Sequence, residues 1–390
     1  MAEKDFNDEL VNTIYKKLNK NLGTQQPIYK LNDILSPTKV KLFVPTGCIP
    51  LDVALANRKK GGFAIGRLSM IRGDASAGKS LLLATTLANA QKLGYITVLL
   101  DSEFAVDDSF YTAIGLDTGK LIYGNYIYIE DALQAIEDII LLSKEKKVTT
   151  PIIIGVDSIA GFKAKSEEEG YEKGGYNTHK AIILSQKLPK LLPLCAYNNV
   201  SIIFTQQFRE NVGSMGFGPK KVSASGGKAA GFFISQRVDL SAIGSIKSDN
   251  LIVGRRTKAK VTKNRLGPPF REAEFEIYFD SGIDDLKSCL DIFVHYKVIK
   301  GKVWKEWVED LKIPGIKLKN TIDPKTKKEF LGPKFQMVQW RKWLKNPETY
   351  EAIKNKITEL NIMKYKGHME DENTVLELDN PDDALGREDD

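Results

Sequence analysis

The sequence predicts an α/β fold built around a mainly parallel central sheet. Apolar runs with the length of buried strands alternate with longer helical stretches, as in strand–helix–strand units. The predicted strands are Leu68–Ile71, Thr97–Asp101, Ile152–Asp157 and Val200–Thr205. The predicted helices are Leu81–Leu93, Asp131–Lys146 and Lys180–Tyr197. The last helix contains Pro189 and Pro193, so we expect it to be kinked or broken. Further strands, in part antiparallel, are predicted at Arg237–Ile243, Ala259–Lys263 and Ala273–Phe279.

A glycine-rich loop follows the first strand and matches the pattern G-x-x-x-x-G-K-[ST] at every fixed position. Its backbone N–H groups and the N-terminus of the next helix are suited to phosphate oxygens. Lys79 is predicted to reach the β- and γ-phosphates, and the Ser80 hydroxyl to ligate Mg²⁺. The sequence therefore predicts a nucleoside triphosphate site at Gly73, Asp74, Ala75, Ser76, Ala77, Gly78, Lys79, Ser80 and Leu81.

Composition excludes several classes of protein. The chain has 390 residues, of which 42% are apolar and 27% charged, values typical of globular proteins. Its apolar runs are much shorter than the roughly 20 residues of a membrane span, and the polar N-terminus does not resemble a signal peptide. Three scattered cysteines fit neither a disulfide framework nor a zinc cluster, so we expect reduced thiols and a cytoplasmic location.

The charge is distributed unevenly along the chain. Residues 370–390 hold ten acidic residues and one arginine, a net charge of −9. Since the whole chain carries +7, residues 1–369 carry +16. A basic body with an acidic tail suggests a polyanionic partner with which the tail competes, although a tail that only improves solubility would show the same charge pattern.

Four segments are predicted along the chain. In residues 1–45, a short helix over 5–20 has one apolar stripe, and an extended linker follows it. Such a helix is marginal alone and is expected to dock on its own core or on a neighbouring subunit. Residues 46–285 are the α/β core, 286–369 a small basic α+β domain, and 370–390 the acidic tail. The four tryptophans of the third segment are expected in its core, and its basic surface is a candidate site for duplex DNA.

Polar residues follow the predicted parallel strands at the edge where ligands bind. Asp157 ends an apolar strand and is expected to hold Mg²⁺ together with Ser80. Glu103 lies just beyond another strand and is predicted to activate the attacking water as general base. Gln206-Gln207 ends the fourth strand, where a glutamine can bind the γ-phosphate and move when it leaves.

Two loops after these strands are predicted to be mobile, over 163–180 and 208–227. The second has five glycines together with cationic and aromatic side chains, which suit single-stranded nucleic acid because they neutralise phosphates and stack on bases. Its candidate DNA-binding residues are Arg209, Phe217, Lys220 and Lys221.

These segments resemble the RecA family of homologous recombinases, and especially its phage members of the UvsX type. The resemblance is clear over residues 44–285 and rests on the phosphate loop and on the segments LLDSEFAV, VDSIAGFKAKSEEEG, IIFTQQFRENVG, SASGGKAAGFFIS and KVTKNRLGPPFREAEFEI. It implies a RecA-like P-loop ATPase core, with an N-terminal helix and linker arm that form filaments and a small C-terminal α+β domain.

The resemblance also implies roles for individual residues. Glu103 matches the family's water-activating glutamate and Gln207 its glutamine switch. Asp107 and Phe110 fall where the family contacts adenine. Lys263 and Arg265 match the basic residues that reach the γ-phosphate of the neighbouring subunit, in the manner of arginine fingers. The second DNA-binding loop then also includes Ser225, Gly226, Gly227 and Lys228.

The resulting hypothesis is a DNA-dependent ATPase that forms helical filaments on single-stranded DNA and pairs it with a homologous duplex. Its cofactors would be ATP and Mg²⁺, and single-strand-binding and loader proteins are candidate partners in a bacterial or phage-infected cytoplasm, at the nucleoid. Two alternatives remain open, a hexameric helicase on the same core and an ATP-gated DNA-binding scaffold that hydrolyses little.

Overall fold

The computed structural model describes residues 2–22, 28–29, 36, 39–104, 106–167, 177–210, 222–224, 231–322, 327 and 329–364. Its helices are α1 Ala2–Leu22, α2 Ile49–Ala56, α3 Lys79–Lys92, α4 Asp108–Ala113, α5 Ile129–Glu145, α6 Asn177–Asn198, α7 Leu286–His295, α8 Met337–Leu344 and α9 Pro347–Asn361. Short 3₁₀ turns occur at Thr118–Lys120 and Lys165–Glu167. None of the described helices combines the length and the apolar character needed to cross a bilayer.

The strands in chain order are β1 Phe43–Val44, β2 Phe63–Ala64, β3 Leu68–Gly73, β4 Ile96–Asp101, β5 Leu121–Asn125, β6 Ile152–Asp157, β7 Val200–Glu210, β8 Val222–Ala224, β9 Gln236–Ser248, β10 Leu251–Asn264, β11 Glu272–Tyr278, β12 Gly282–Asp284, β13 Ile299–Lys300, β14 Lys305–Trp307, β15 Lys319–Ile322 and β16 Glu329–Phe335.

The central sheet has the order β12-β11-β10-β9-β3-β7-β6-β4-β5, with β8 paired to β7. The strands from β9 to β5 run parallel, whereas β10, β11 and β12 pair antiparallel at one side. Alternate residues of the parallel strands face opposite layers, because side chains alternate along a strand. On β6, Ile153 packs with the layer of α3, while Ile152 and Ile154 pack with that of α5 and α6. The prediction of an α/β fold with a mainly parallel sheet is confirmed.

The helix with two internal prolines is not broken. The structure shows α6 as one helix from Asn177 to Asn198. Pro189 and Pro193 are exposed, while Leu184, Leu188 and Leu191 on the opposite face are buried in the core. Water can therefore satisfy the carbonyls that lose their N–H partners, and apolar packing holds the helix together across both prolines.

In the described part of the chain, some residues of both predicted loops belong to a helix or a strand. Residues 177–180 belong to α6, and Lys180 is buried with its Nζ donating to the carbonyl of Phe162 at 2.8 Å. In the second loop, Phe208–Glu210 pair antiparallel with Val222–Ala224, so β7 continues past its predicted end. Residues 168–176, 211–221 and 225–230 lie outside the described residues.

A second sheet, of order β13-β14-β16-β15, packs with α7, α8 and α9 around an aromatic cluster. Phe293, Trp307, Phe335 and Trp340 are buried there, and the Trp340 indole donates to the carbonyl of Leu286 at 2.8 Å. The expectation that all four tryptophans lie in the core is wrong for Trp304, which is 57% exposed in the turn between β13 and β14.

Two buried carboxyl groups lie where α2 meets the start of α7. Asp52 accepts hydrogen bonds from the backbone N–H and hydroxyl of Thr46, both at 2.7 Å. Asp285 accepts from the backbone N–H of Ile49 at 2.8 Å. Burial raises the pKa of Asp52 to about 7 and that of Asp285 to about 6, because the charged carboxylate is poorly solvated there.

This junction predicts a dependence of stability on pH. The unfolded chain releases the Asp52 proton near pH 4, whereas the folded chain keeps it until about pH 7, so stability falls as pH rises through this window. Asp52→Asn should therefore gain about 2 kcal/mol relative to wild type between pH 5 and pH 7.5, measured by urea unfolding. Asp249→Asn, in the exposed turn between β9 and β10, is the control. Equal slopes for both variants would contradict the assignment.

Candidate functional site

The phosphate loop leaves the middle of the sheet, where β3 lies between β7 and β9. Close packing requires glycine at two of its positions. A Cβ added to Gly73 would lie 2.6 Å from the carbonyl oxygen of Leu240, and one on Gly78 would lie 2.3 Å from Cδ1 of Ile277. Gly78 also has φ +94°, a conformation that favours glycine, and precedes the first residue of α3. The loop is thus fixed against β9 and β11.

Lys79 begins α3 and is largely buried. Its Nζ donates to the backbone carbonyl of Asp74 at 2.7 Å, across the mouth of the loop. Burial lowers the pKa of the ammonium group, while the negative charges of Asp157 and Glu103 oppose this shift. The lysine therefore faces both predicted carboxylates.

Asp157 ends β6 beside Thr205 of β7 and Ser80 of α3. The hydroxyls of Ser80 and Thr205 both hydrogen-bond its carboxylate. Burial raises the pKa of Asp157, and these two hydrogen bonds counteract the shift. The Ser80 hydroxyl and the Asp157 carboxylate are adjacent oxygen donors, which are the ligands that Mg²⁺ prefers, so the residues fit the predicted metal.

Glu103 lies two residues beyond the end of β4, on the same edge of the sheet. Asp101 pairs with Asp157 in register, so β4 delivers Glu103 next to the end of β6. The Ser158 hydroxyl donates to Oε1 of Glu103 at 2.7 Å, and the backbone N–H of Glu103 donates to Oδ1 of Asp101 at 2.8 Å. Glu103 is otherwise exposed to solvent, as a base acting on water must be.

Two residues that position Glu103 were missed by the sequence analysis. The Ser102 hydroxyl donates to the carbonyl of Ser158 at 2.8 Å and accepts from its backbone N–H at 3.0 Å, which joins the two strand ends. A Cβ on Gly161 would lie 2.2 Å from Oγ of Ser102 and 3.3 Å from Cγ of Glu103. No local sequence pattern signals these contacts, because they join segments 56 positions apart in the chain.

Gln207 lies opposite the first residue of the phosphate loop, since it pairs in register with Gly73. Residues two apart on a strand share a face, so Gln207 is on the same face as Thr205, whose hydroxyl bonds Asp157. It is half-buried, whereas Gln206 is buried. The β7–β8 pairing begins at the next residue, Phe208.

Asp107 and Phe110 lie at the N-terminal end of α4. Asp107 caps this helix, because its Oδ1 accepts from the backbone N–H of Phe110 at 2.8 Å. The Ser109 hydroxyl and this N–H lower the pKa of the Asp107 carboxyl. Both side chains are exposed, and their contact with adenine stays a prediction.

Lys263 and Arg265 do not reach the phosphate loop of their own chain. Lys263 pairs in register with Arg237, which pairs with Met70, three residues before Gly73. The Lys263 ammonium donates to the carbonyls of Gly231 at 2.7 Å and Phe232 at 3.1 Å, and Arg265 donates to Phe232 at 2.8 Å.

Lys263 and Arg265 form a cluster of positive charge with Arg237. Burial lowers the pKa of Lys263, and the positive charges of Arg265 and Arg237 add to the shift. Within the described ranges, neither Lys263 nor Arg265 has an ion-pair partner. An anion from outside the chain would relieve this repulsion.

Arg255 contacts the phosphate loop, and nothing in the sequence pattern singled it out. An Nη group of its guanidinium donates to the carbonyl of Ser76 at 2.5 Å. Thr257, two residues further along β10, donates to the carbonyl of Ala77 at 3.4 Å. The same strand thus supports the phosphate loop with one end and carries Lys263 near the other.

Most of the predicted DNA-binding residues fall outside the part of the chain that the structure describes. Phe217, Lys220, Lys221 and the segment 225–228 lie outside the described residues, as does the side chain of Arg209. The roles assigned to them stay predictions.

Arg255→Ala should weaken binding of a nucleoside triphosphate about fivefold, because the loss of a partly exposed charged hydrogen bond costs about 1 kcal/mol. The affinity of a non-hydrolysable fluorescent analogue measures this effect. Arg256→Ala is the matched control, since Arg256 pairs with Glu274 at 3.0 Å instead. Equal losses in both variants would show that only the general charge of β10 matters.

Comparison with known proteins identifies the family. Residues 9–284 match the RecA N-terminal domain. The chain is 35% identical over 268 residues to protein RecA of Geobacter metallireducens, covering 68% of this chain and 76% of that protein. It is 38% identical over 260 residues to protein RecA of Chlamydia pneumoniae, covering 66% and 70%. With protein RecA of Leifsonia xyli it shares 35% over 288 residues, covering 74% and 77%. The chain belongs to the RecA family.

Proposed function

We propose that this chain is an ATP-dependent recombinase. It polymerises on single-stranded DNA, pairs that strand with a homologous duplex and hydrolyses ATP when DNA is bound. The observation that carries the proposal is the division of the ATP site. One edge of the sheet brings together Lys79, Glu103 and Asp157, while Lys263 and Arg265 lie away from it. A head-to-tail neighbour would complete the site, and head-to-tail contacts that do not close produce helical filaments.

In this proposal, the chain's own residues divide the work of hydrolysis. Lys79 holds the β- and γ-phosphates, and Glu103 takes a proton from the attacking water. Ser80 and Asp157 hold Mg²⁺, which when bound neutralises charge that develops on the phosphate oxygens. Lys263 and Arg265 of the next protomer stabilise the same charge from the other side.

The N-terminal helix supplies a surface for polymerisation. Leu10, Val11, Ile14 and Leu18 of α1 are all exposed. They repeat every three or four residues and so form one apolar stripe. A helix with such a stripe gains stability by packing on another subunit, which supports the role of residues 1–45 as a filament-forming arm.

Gln207 is placed to couple ATP to DNA. It lies opposite Gly73 of the phosphate loop and directly before the β7–β8 pairing that leads into residues 211–221. A shift of Gln207 on loss of the γ-phosphate would be passed to this loop through the backbone. The predicted single-strand contacts at Arg209, Phe217, Lys220, Lys221, Ser225, Gly226, Gly227 and Lys228 belong to the proposal, as does duplex binding by residues 286–369.

The alternatives predict different assemblies. A hexameric helicase would form closed rings, and a scaffold would have no use for a water-activating glutamate and a second carboxylate beside the phosphate loop. The pairing of Glu103 with Ser158 and the contacts of Asp157 therefore favour hydrolysis. The segment Asp101-Ser102-Glu103-Phe104 supports a relationship to the phage recombinases of the UvsX type. Such a protein would act in the cytoplasm of an infected cell.

Glu103→Gln tests the proposed chemistry. Turnover of ATP with single-stranded DNA present should fall between about 10² and 10⁴-fold, because an amide cannot accept the proton of water. Binding of ATP should remain, since Glu103 is not part of the phosphate loop. Asp108→Asn, an exposed carboxylate on α4, should keep wild-type turnover. Unchanged turnover in Glu103→Gln, or wild-type turnover that does not respond to DNA, would contradict the proposal.

A further inference from the structure

A cleft lies between the α/β core and α9, the last helix among the described residues. It encloses about 320 Å³ and has an apolar floor that includes Leu42, Phe43, Val53 and Leu93. Leu42 is 41% exposed and Leu93 is 49% exposed, so this floor is open to solvent. An exposed apolar surface bordered by polar side chains is typical of a binding site.

Four lysines border this floor, Lys41, Lys59, Lys60 and Lys354, and we call the whole feature the lysine cleft. Among the described residues, Lys41, Lys59 and Lys60 are exposed and have no ion-pair partner, while Lys354 pairs with Glu351 at 3.3 Å. Asp52 lies at the bottom, where it is buried and hydrogen-bonded to Thr46. The surface is therefore strongly cationic and suits an anionic ligand that also carries apolar groups.

The last described residues of the chain are fixed at the end of α2, a helix that also lines this cleft. Asn57, at the end of α2, binds the backbone of Met363 twice. Its Nδ2 donates to the Met363 carbonyl at 2.9 Å, and its Oδ1 accepts from the Met363 N–H at 2.8 Å. The Arg271 guanidinium also donates to this Oδ1, at 3.1 Å. The described chain thus ends at Lys364, with Met363 fixed on a residue two positions before Lys59.

The segment that follows has the complementary chemistry. Residues 370–390 contain ten carboxylates and one arginine, and Val375, Leu376 and Leu378 lie among them. Ten residues lie between Lys364 and Val375, and the eleven steps from one to the other span about 36 Å when extended and about 18 Å as a random coil. Such a tether gives the tail a high effective concentration at a surface close to its origin.

We propose that the acidic tail, residues 370–390, docks in the lysine cleft of its own chain. Val375, Leu376 and Leu378 cover the apolar floor, and the neighbouring carboxylates pair with Lys41, Lys59, Lys60 and Lys354. The docking needs neither ATP nor DNA, so it does not depend on the proposed recombinase function. It also links α2 of the core to α9 through a segment that contacts both.

The other basic surface of the chain fits the tail less well. Residues 297–345 carry a net charge of +9, but two of their lysines are already paired. Lys300 and Lys334 both contact Glu306, at 3.6 and 3.0 Å. The lysine cleft combines an apolar floor with three lysines that have no ion-pair partner among the described residues.

Carbodiimide cross-linking of the full-length protein tests the docking, because it joins carboxylates to lysines in direct contact. Mass spectrometry should find peptides of residues 370–390 joined mainly to Lys41, Lys59, Lys60 and Lys354. The yield should fall in roughly 1 M salt, where screening acts over about 3 Å. Equal mixtures of ¹⁴N- and ¹⁵N-labelled protein distinguish links within one chain from links between copies.

A double variant and its matched control complete the experiment. Lys59→Glu/Lys60→Glu leaves Lys41 and Lys354 in place. It should still remove most of the cross-links to these two lysines, since the tail would no longer bind in the cleft. Lys144→Glu/Lys146→Glu, at the exposed end of α5, should leave them unchanged. Links that form mainly to lysines in 297–345, that join different copies, or that persist in the cleft variant would overturn the proposal.

Discussion

The structure depends on one constraint: the phosphate loop and its polar partners must lie at a single edge of a parallel sheet. Because β3, β4, β6 and β7 all end there, the sheet order alone brings residues far apart in sequence close together. The contacts of Gly73 with Leu240 and of Gly78 with Ile277 fix the loop against strands on its other side. Hydrogen bonds between Ser102 and Ser158 then join two of the strand ends and place Glu103 beside Asp157. The geometry of the site follows from the sheet order and from this close packing.

The same sheet also separates the charges that the proposed reaction needs. β10 supports the phosphate loop through Arg255 and Thr257, yet it carries Lys263 towards the opposite end of the parallel strands. In the proposed filament, the ATP site of one protomer and the cations that act on the next would be joined by one strand. Such a strand would let the nucleotide state of one site influence its neighbour, which is the coupling that an ATP-controlled filament requires.

The sequence was sufficient for the fold class, because continuous apolar strands and the phosphate loop leave few arrangements for an α/β chain. It also placed Glu103, Asp157 and Gln207 at the ends of neighbouring strands, and their roles in the reaction stay predictions. The sequence predictions failed where the outcome depends on tertiary packing. Whether α6 continues past its two prolines depends on which face of the helix they occupy. The exposure of Trp304 depends on its position in a turn. Arg255, Ser102 and Gly161 act through contacts between distant segments, which no local pattern can reveal.

The central claim is that two protomers build each ATP site, and mixing two inactive variants tests it most directly. Glu103→Gln and Lys263→Ala/Arg265→Ala should each hydrolyse ATP poorly with single-stranded DNA. In a random equimolar mixture, about a quarter of the head-to-tail interfaces regain both an intact Glu103 and intact cations. We predict that the mixture recovers turnover well above that of either variant, with filaments visible by electron microscopy. A mixture no more active than its components would show that each site is built within one chain.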